Sequence, residues 1–142
     1  MPVSFQEVAD DFQHDGGLRD IYVRDIGIAQ WNAVIRAVTS RYRWSYSEDG
    51  EACVVPDDAA AIFSARMERS ALLTCRIGSM QANCHFFDPT EIEFDIQPSD
   101  VSAANFGELT AFMHLLASVA GQPAVITHEG DSNAIMRIDP VA

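Results

Sequence analysis

The residues best suited to chemistry lie in one short segment of alternating character. His85 is followed by Glu91, Glu93 and Asp95, three acidic residues at alternate positions. Alternate residues of a β-strand share one face and stand about 7 Å apart, so these carboxylates form a row. A histidine beside such a row can act as a general base, or can hold a metal ion together with two carboxylates. Acidic rows of this kind also attract basic proteins, or they simply face water.

The other histidines and the cysteines give weaker signals. His128 and Glu129 are adjacent, so they point to opposite sides of a strand and do not predict a joint site. His14 falls in an expected loop, and His114 falls opposite the apolar side of its helix. Three cysteines without Cys-x-x-Cys spacing are expected to be free thiols. They are Cys53, Cys75 and Cys84.

The charge balance limits the classes of partner. The chain of 142 residues has 21 Asp and Glu residues, nine basic residues and a formal net charge of −12. All nine basic residues are arginine, so Schiff-base chemistry and a phosphate-loop lysine are excluded. One arginine and nine acidic residues fall in residues 77–142, which therefore hold most of the excess negative charge. We expect neither nucleic acid nor an anionic membrane as a partner.

The common local signatures of enzymes and of export do not occur. Nucleotide-binding glycine loops, the Gly-x-Ser-x-Gly of hydrolases, the His-Glu-x-x-His of zinc proteases and calcium-binding loops are missing from the sequence. The first residues show no signal-peptide pattern, and no apolar run approaches the roughly 18 residues of a membrane span. We expect a cytoplasmic protein without a cofactor.

Alternation of apolar and polar residues predicts three antiparallel strands within residues 71–98. The Gly78-Ser79 dipeptide suits a two-residue hairpin turn and pairs Ile77 with Met80. A second turn of three residues, 88–90, pairs Phe87 with Glu91. Since register fixes which face each side chain takes, one face of these strands is apolar and the other is polar. The pairs that follow the second turn are Phe86–Ile92, His85–Glu93, Cys84–Phe94, Asn83–Asp95 and Ala82–Ile96.

Helical spacing of apolar residues predicts four helices around these strands. The helices cover about 5–13, 28–40, 57–66 and 103–120, and further strands cover 18–24, 42–46, 125–127 and 134–138. Ser4 and Glu7 form a capping box, Ser102 is expected to cap the last helix, and Gly121 ends it. The whole chain, 1–142, is predicted to be a single α+β domain, with residues 1–17 as an N-terminal helix and loop and 18–140 as the core. Its mainly antiparallel sheet has helices on one face and an open polar face.

Four segments carry a resemblance that spans about residues 18–140. They are Leu18–Val23, Trp31 in the following helix, Cys84–Phe87 and Glu91–Ile96. With these segments the chain resembles small bacterial proteins of the immunity-protein type, from polymorphic or contact-dependent toxin systems. The resemblance implies a standalone domain that binds and blocks a cognate toxin, and it carries no catalytic residues. The chain departs from it at 128–130, where it has His-Glu-Gly in place of Pro-Glu-Asn.

The polar face and the acidic balance predict a binding protein rather than an enzyme. Two other functions stay open: a small-molecule binder or small enzyme that uses His85 or His128 in a pocket, and a homodimeric structural protein. The homodimer would use the same face and needs Arg76 or another arginine to complement the carboxylates; the sequence does not predict the oligomeric state. The residues expected to contact a basic protein partner are Asn83, His85, Glu91, Glu93 and Asp95.

Overall fold

Eight β-strands and four α-helices form the fold in the computed structural model, which describes residues 3–141. The strands are β1 (Arg19–Arg24), β2 (Arg43–Glu48), β3 (Glu51–Ala52), β4 (Ala71–Ile77), β5 (Met80–Asp88), β6 (Glu91–Ile96), β7 (Ala124–His128) and β8 (Ala134–Ile138). The helices are α1 (Phe5–Val8), α2 (Ile28–Arg41), α3 (Ala59–Ser64) and α4 (Phe106–Ala120). Two short 3-10 helices, Ala9–Phe12 and Pro98–Asp100, precede β1 and α4.

The strands form one sheet in the order β3-β2-β4-β5-β6-β1-β7-β8, and each neighbouring pair is antiparallel. The predicted α+β class is therefore confirmed. β1 is the first strand of the chain, yet it lies between β6 and β7. This insertion brings residues that are far apart in sequence onto neighbouring strands.

The helices bury their apolar residues against one face of the sheet. Trp31 of α2 is fully buried and stacks on Phe86 of β5, with ring centroids 5.0 Å apart. Phe112 of α4 meets Phe94 of β6 edge to face, also at 5.0 Å. Such aromatic pairs add to the free energy of burial. Within residues 3–141, no helix has both the length and the apolar character needed to cross a membrane.

The register of the central hairpins largely follows the prediction. Ile77 pairs with Met80 across the first turn, and the expected pairs His85–Glu93, Cys84–Phe94 and Asn83–Asp95 are all present. The predicted Phe87–Glu91 pair is wrong, since Asp88 pairs with Glu91. The predicted Phe86–Ile92 pair falls where the register shifts, between His85 and Asp88, and is not formed in register. The Asp88 carboxylate accepts hydrogen bonds from the Thr90 N–H and hydroxyl. This local bonding closes a two-residue turn, and the strand absorbs the extra residue as an irregularity.

Three helices also differ from the prediction. The first was expected to run to about residue 13, but α1 ends at Val8 and the chain continues as the 3-10 helix Ala9–Phe12. Helix α4 begins at Phe106 rather than at 103, and Ser102 is not its N-cap. Asn105 takes that position, with its Oδ1 accepting from the Ser102 N–H and its Nδ2 donating to the Asp100 carbonyl. Helix α3 is shorter than expected and begins after Asp58, whose carboxylate accepts from the Ala60 N–H. The two-residue strand β3 was not predicted.

Arg19 ties the N-terminal segment to the sheet. Its side chain is 1% exposed, and its guanidinium donates to the backbone carbonyls of Asp11 and Gln13. The same group forms an ion pair with Asp15 at 3.0 Å. A buried guanidinium is tolerated only when its donors are satisfied in this way. The segment before β1 is therefore held by one arginine as well as by the apolar contacts of Phe12.

Replacing Arg19 with Met is expected to lower the free energy of unfolding by about 3 kcal/mol, because carbonyls and a carboxylate lose their donors. Urea denaturation measures the change. The matched control is Arg36→Met on the exposed side of α2, which is expected to change stability by less than about 0.5 kcal/mol. Equal effects of the two substitutions would contradict the role given to Arg19.

Candidate functional site

The structure brings all five predicted contact residues together on the sheet face that no described helix covers. Asn83 and His85 project from β5, and the three acidic residues project from β6. Strand β1 adds three more polar side chains to the same face. We call this surface the acidic face. Its members are Asp20, Tyr22, Arg24, Asn83, His85, Glu91, Glu93 and Asp95.

The contribution of β1 was missed by the sequence analysis. Asp20 lies directly opposite Asp95, Tyr22 opposite Glu93, and Arg24 opposite Glu91. The alternation of Asp20, Tyr22 and Arg24 predicts one polar side of β1, but nothing in the sequence places that side next to β6. The neighbour of a strand is set by tertiary packing across about seventy residues, which local periodicity does not encode.

Asp95 is the centre of a hydrogen-bonded chain. It is 7% exposed, and its Oδ2 lies 2.5 Å from His85 Nε2. Its Oδ1 accepts from Asn83 Nδ2 at 3.1 Å, and Asn83 Oδ1 accepts in turn from the Thr74 hydroxyl. The bond to Asp95 raises the pKa of His85, while partial burial acts in the opposite direction. The imidazolium is thus favoured beside a buried carboxylate.

Asp20 is the second buried carboxylate, and it faces Asp95 across the two strands. It is 7% exposed, and the Tyr22 hydroxyl donates to its Oδ2 at 3.3 Å. Burial raises the pKa of Asp20, and the negative charge of Asp95 adds to the increase. Burial likewise raises the pKa of Glu93, with a further increase from the charge of Asp20. The centre of the acidic face therefore holds more negative charge than its own groups neutralise.

The rim of the acidic face is partly neutralised and partly apolar. Arg24 Nε lies 2.8 Å from Glu91 Oε1, and the Arg24 guanidinium lies over the Tyr22 ring at 4.3 Å. Phe87 is 65% exposed and stacks in parallel on His85, with ring centroids 5.0 Å apart. A large exposed aromatic ring next to charged groups is typical of a protein contact surface.

One flank of the acidic face carries positive charge. Arg43 and Arg76 lie directly opposite each other on β2 and β4, whereas Arg137 on β8 is paired with Asp139 at 2.9 Å. The four carboxylates of the acidic face lie on two adjacent strands, β1 and β6. A partner that covers this face must therefore match a narrow acidic stripe.

The two histidines singled out in the sequence have different surroundings. His85 lines a small cleft of 160 Å³ beside α3. His128 binds the Asp11 carboxylate at 2.9 Å. A larger cleft of 500 Å³ is lined by His114, to which the sequence analysis gave no role. Within residues 3–141, no group of three or more His, Cys, Asp or Glu side chains is arranged to hold a metal ion.

The cysteines divide into two environments. Cys75 and Cys84 are buried in the sheet, as expected, and Cys53 is exposed. Burial raises the pKa of Cys75 to about 12 and that of Cys84 well above its ordinary range. Since the thiolate is the reactive form, the two buried cysteines are packing residues.

No family model, no curated protein and no solved structure matches this chain.

Replacing Asp20 with Asn is expected to stabilise the protein by about 1 kcal/mol at neutral pH, because it removes a charge directly opposite Asp95. The raised pKa of Asp20 means that the ionised carboxyl destabilises the folded state. This penalty grows as pH rises from about 3.9, the unfolded value, through the folded pKa. Urea denaturation at neutral pH and below that unfolded value measures the gain, which should vanish in acid. Destabilisation at neutral pH by Asp20→Asn would contradict this account.

The His85–Asp95 pair is expected to stabilise the fold by about 1–2 kcal/mol while His85 is protonated. Because the folded pKa of His85 is raised, this contribution is complete below about pH 6.5 and is lost as pH rises through the folded pKa. Urea denaturation of the wild type and of His85→Gln from about pH 5 to about pH 9 covers the transition. The difference in the free energy of unfolding between the wild type and His85→Gln should become smaller as pH rises. In NMR titration, Asp95→Asn should lower the midpoint of His85; an unchanged midpoint would contradict the pairing.

Proposed function

We propose that this chain is a binding protein of the immunity type, which engages a basic protein partner, a toxin, through the acidic face. The observation that carries the proposal is a sheet face left uncovered by the described helices, with four carboxylates on two adjacent strands. Covering a positively charged site requires complementary charge and shape rather than catalysis. The resemblance described above implies the same mode of action.

Charge supports the proposal at long range. The formal net charge is −12, and most of the excess lies in residues 77–142, which include β6. A concentrated field of one sign raises the association rate of an oppositely charged protein by one to three orders of magnitude. The effect weakens with salt because the Debye length is about 8 Å at physiological ionic strength.

Preorganisation supports the proposal at short range. Asp95 is too buried to be a main contact residue, but it fixes the positions of His85 and Asn83. Glu91 and Glu93 are partly exposed, and Phe87 projects beside them. A partner side chain that meets this surface finds His85, Asn83 and Glu91 already held in place by Asp95 and Arg24, so little of their side-chain entropy is lost on binding. Phe87 adds an exposed apolar side chain that a partner can bury, which the charged residues of the acidic face do not provide.

Catalysis at His85 has less support from the geometry. A general base works best where water is excluded and a substrate is enclosed. The His85 side chain is 28% exposed and lines a cleft of only 160 Å³ beside α3. Its Nε2 is already engaged by Asp95. The arrangement suits an electrostatic surface better than an enclosed reaction site.

The test is affinity capture from the native organism with three forms of the protein as bait. They are the wild type, the double variant Glu91→Gln/Glu93→Gln, and the control Asp57→Asn/Glu68→Gln, which removes the same charge from an exposed region outside the acidic face. We expect one stoichiometric basic protein with the wild type and the control, lost at high salt. The acidic-face variant should retain several-fold less of it, as expected when paired charges at an interface are removed.

Association rates measured with the captured protein distinguish long-range electrostatic attraction from direct contact at the interface. The Glu91→Gln/Glu93→Gln variant should associate more slowly and with a shallower dependence on salt than the control. Equal capture and equal association by the two double variants would refute the role of the acidic face. Capture of a partner that is not basic would refute the electrostatic mechanism.

A further inference from the structure

A small basic cleft borders the acidic face beside α3. It has a volume of 160 Å³, and none of its lining residues is acidic. Its polar lining consists of Arg66, Arg69, Ser70 and His85, and its apolar lining includes Phe87. Two of the nine arginines therefore meet at one histidine in a chain whose formal net charge is −12. Local charge of this sign favours an anionic ligand.

Hydrogen bonds within the chain form the walls of this cleft. Arg66, Arg69 and Ser70 lie in the short segment between α3 and β4. The Arg66 Nη1 donates to the carbonyl of Phe87 at 3.1 Å, which ties this segment to β5. The Ser70 N–H donates to Asp49 Oδ1 at 2.9 Å and fixes the end of the segment. The cleft is thus largely preformed, as small-ligand sites usually are.

Arg66 is the cation of the cleft that the fold neutralises least. Its one hydrogen bond to Phe87 leaves several guanidinium N–H donors available, and it forms no ion pair within residues 3–141. The pKa of Asp88 is lowered mainly by bonds from the Thr90 N–H and hydroxyl, and to a smaller extent by the charge of Arg66. Asp88 therefore offsets Arg66 only at a distance.

Arg69 and His85 are each engaged on one side and keep donors on the other. Arg69 Nη1 lies 3.2 Å from Glu48 Oε1, and the Arg69 side chain is 57% exposed. His85 Nε2 is bound to Asp95, so Nδ1 is the ring nitrogen left for a ligand. The bond to Asp95 raises the pKa of His85, and an imidazolium carries a donor on both nitrogens. Ser70 adds a hydroxyl to the same lining.

These donors match a phosphate group better than a carboxylate. A carboxylate presents two oxygens in one plane, whereas a phosphate presents three or more oxygens that accept from several directions. Guanidinium groups bind phosphate through paired, charge-assisted hydrogen bonds. The cleft volume of 160 Å³ admits the phosphate itself, while the exposed ring of Phe87 lies beside it for any group attached to the phosphate.

We propose that this cleft binds a phosphate group, supplied either by inorganic phosphate or by a small phosphate monoester. Arg66 and His85 are the main donors, and Arg69 and Ser70 complete the set. The site does not depend on the proposed function, because it requires the chain alone and uses the side of His85 that faces away from Asp95.

NMR titration of the full chain tests the proposal, with the imidazole signals of His85 as the readout. Sodium phosphate, phenyl phosphate and sodium acetate are added separately at about pH 6, where an unperturbed histidine is mostly protonated. Chloride keeps the ionic strength constant. We expect saturable shifts of His85 with phosphate at a Kd of about 1 mM or tighter, and at least about tenfold weaker binding of acetate. Tighter binding of phenyl phosphate than of inorganic phosphate assigns the source to an ester, and any other order assigns it to inorganic phosphate.

Arg66→Gln and the control Arg36→Gln locate the binding. Both remove one exposed arginine charge, but Arg36 lies on α2 and outside the cleft. Because a charged donor is lost, Arg66→Gln should weaken phosphate binding at least about fivefold, and Arg36→Gln should leave it unchanged. Circular dichroism should show both variants folded like the wild type, since each replaced side chain is exposed.

Three results would overturn the proposal. The first is phosphate that moves no His85 signal up to roughly 10 mM, a weaker interaction than several charge-assisted bonds provide. The second is acetate that binds as tightly as phosphate, which would indicate a site for any anion. The third is equal binding by Arg66→Gln and Arg36→Gln, which would place the bound phosphate elsewhere.

Discussion

The central constraint of this structure is the opposition of two carboxylates in the middle of a sheet. Asp20 and Asp95 face each other on β1 and β6, and each is 7% exposed. Like charges in this position are destabilising, and burial increases their cost. Hydrogen bonds from neighbouring side chains reduce this free-energy cost. His85 and Asn83 bind Asp95, and the Tyr22 hydroxyl donates to Asp20. The positions of Tyr22, Asn83 and His85 on the acidic face are thus set by hydrogen bonds to these two carboxylates.

The same constraint links stability to the proposed binding function. A cationic His85 offsets one carboxylate, and Arg24 offsets Glu91 at the rim, but Asp20 and Glu93 have no arginine or histidine within ion-pair distance in the described chain. Negative charge that the fold does not neutralise is available to a partner with the opposite charge. Natural sequences retain such locally unfavourable arrangements mainly at functional sites. The acidic face is the clearest place in this molecule where the folded state holds charge that a binding partner can relieve.

Much of the fold follows from local pattern, and the rest depends on packing. The alternation around Gly78-Ser79 is sufficient for the β4–β5 register, and the row on β6 is visible in the sequence. The second turn was one residue too long in the prediction because the bonding of Asp88 to Thr90 competes with strand pairing. The position of β1 beside β6, and hence of Asp20 opposite Asp95, was not predictable, since no local signal specifies the neighbour of a strand. For the same reason, the burial of Asp95 was not foreseen.

The most direct test is chemical footprinting of carboxyl groups on the chain alone and in complex with the proposed basic partner. Carbodiimide-driven labelling reports the solvent access of each Asp and Glu side chain. Docking through the acidic face predicts that Glu91 and Glu93 lose labelling on binding, while Asp57 and Glu68 are labelled as in the free chain. Unchanged labelling of Glu91 and Glu93, with protection at carboxylates elsewhere, would contradict the central claim.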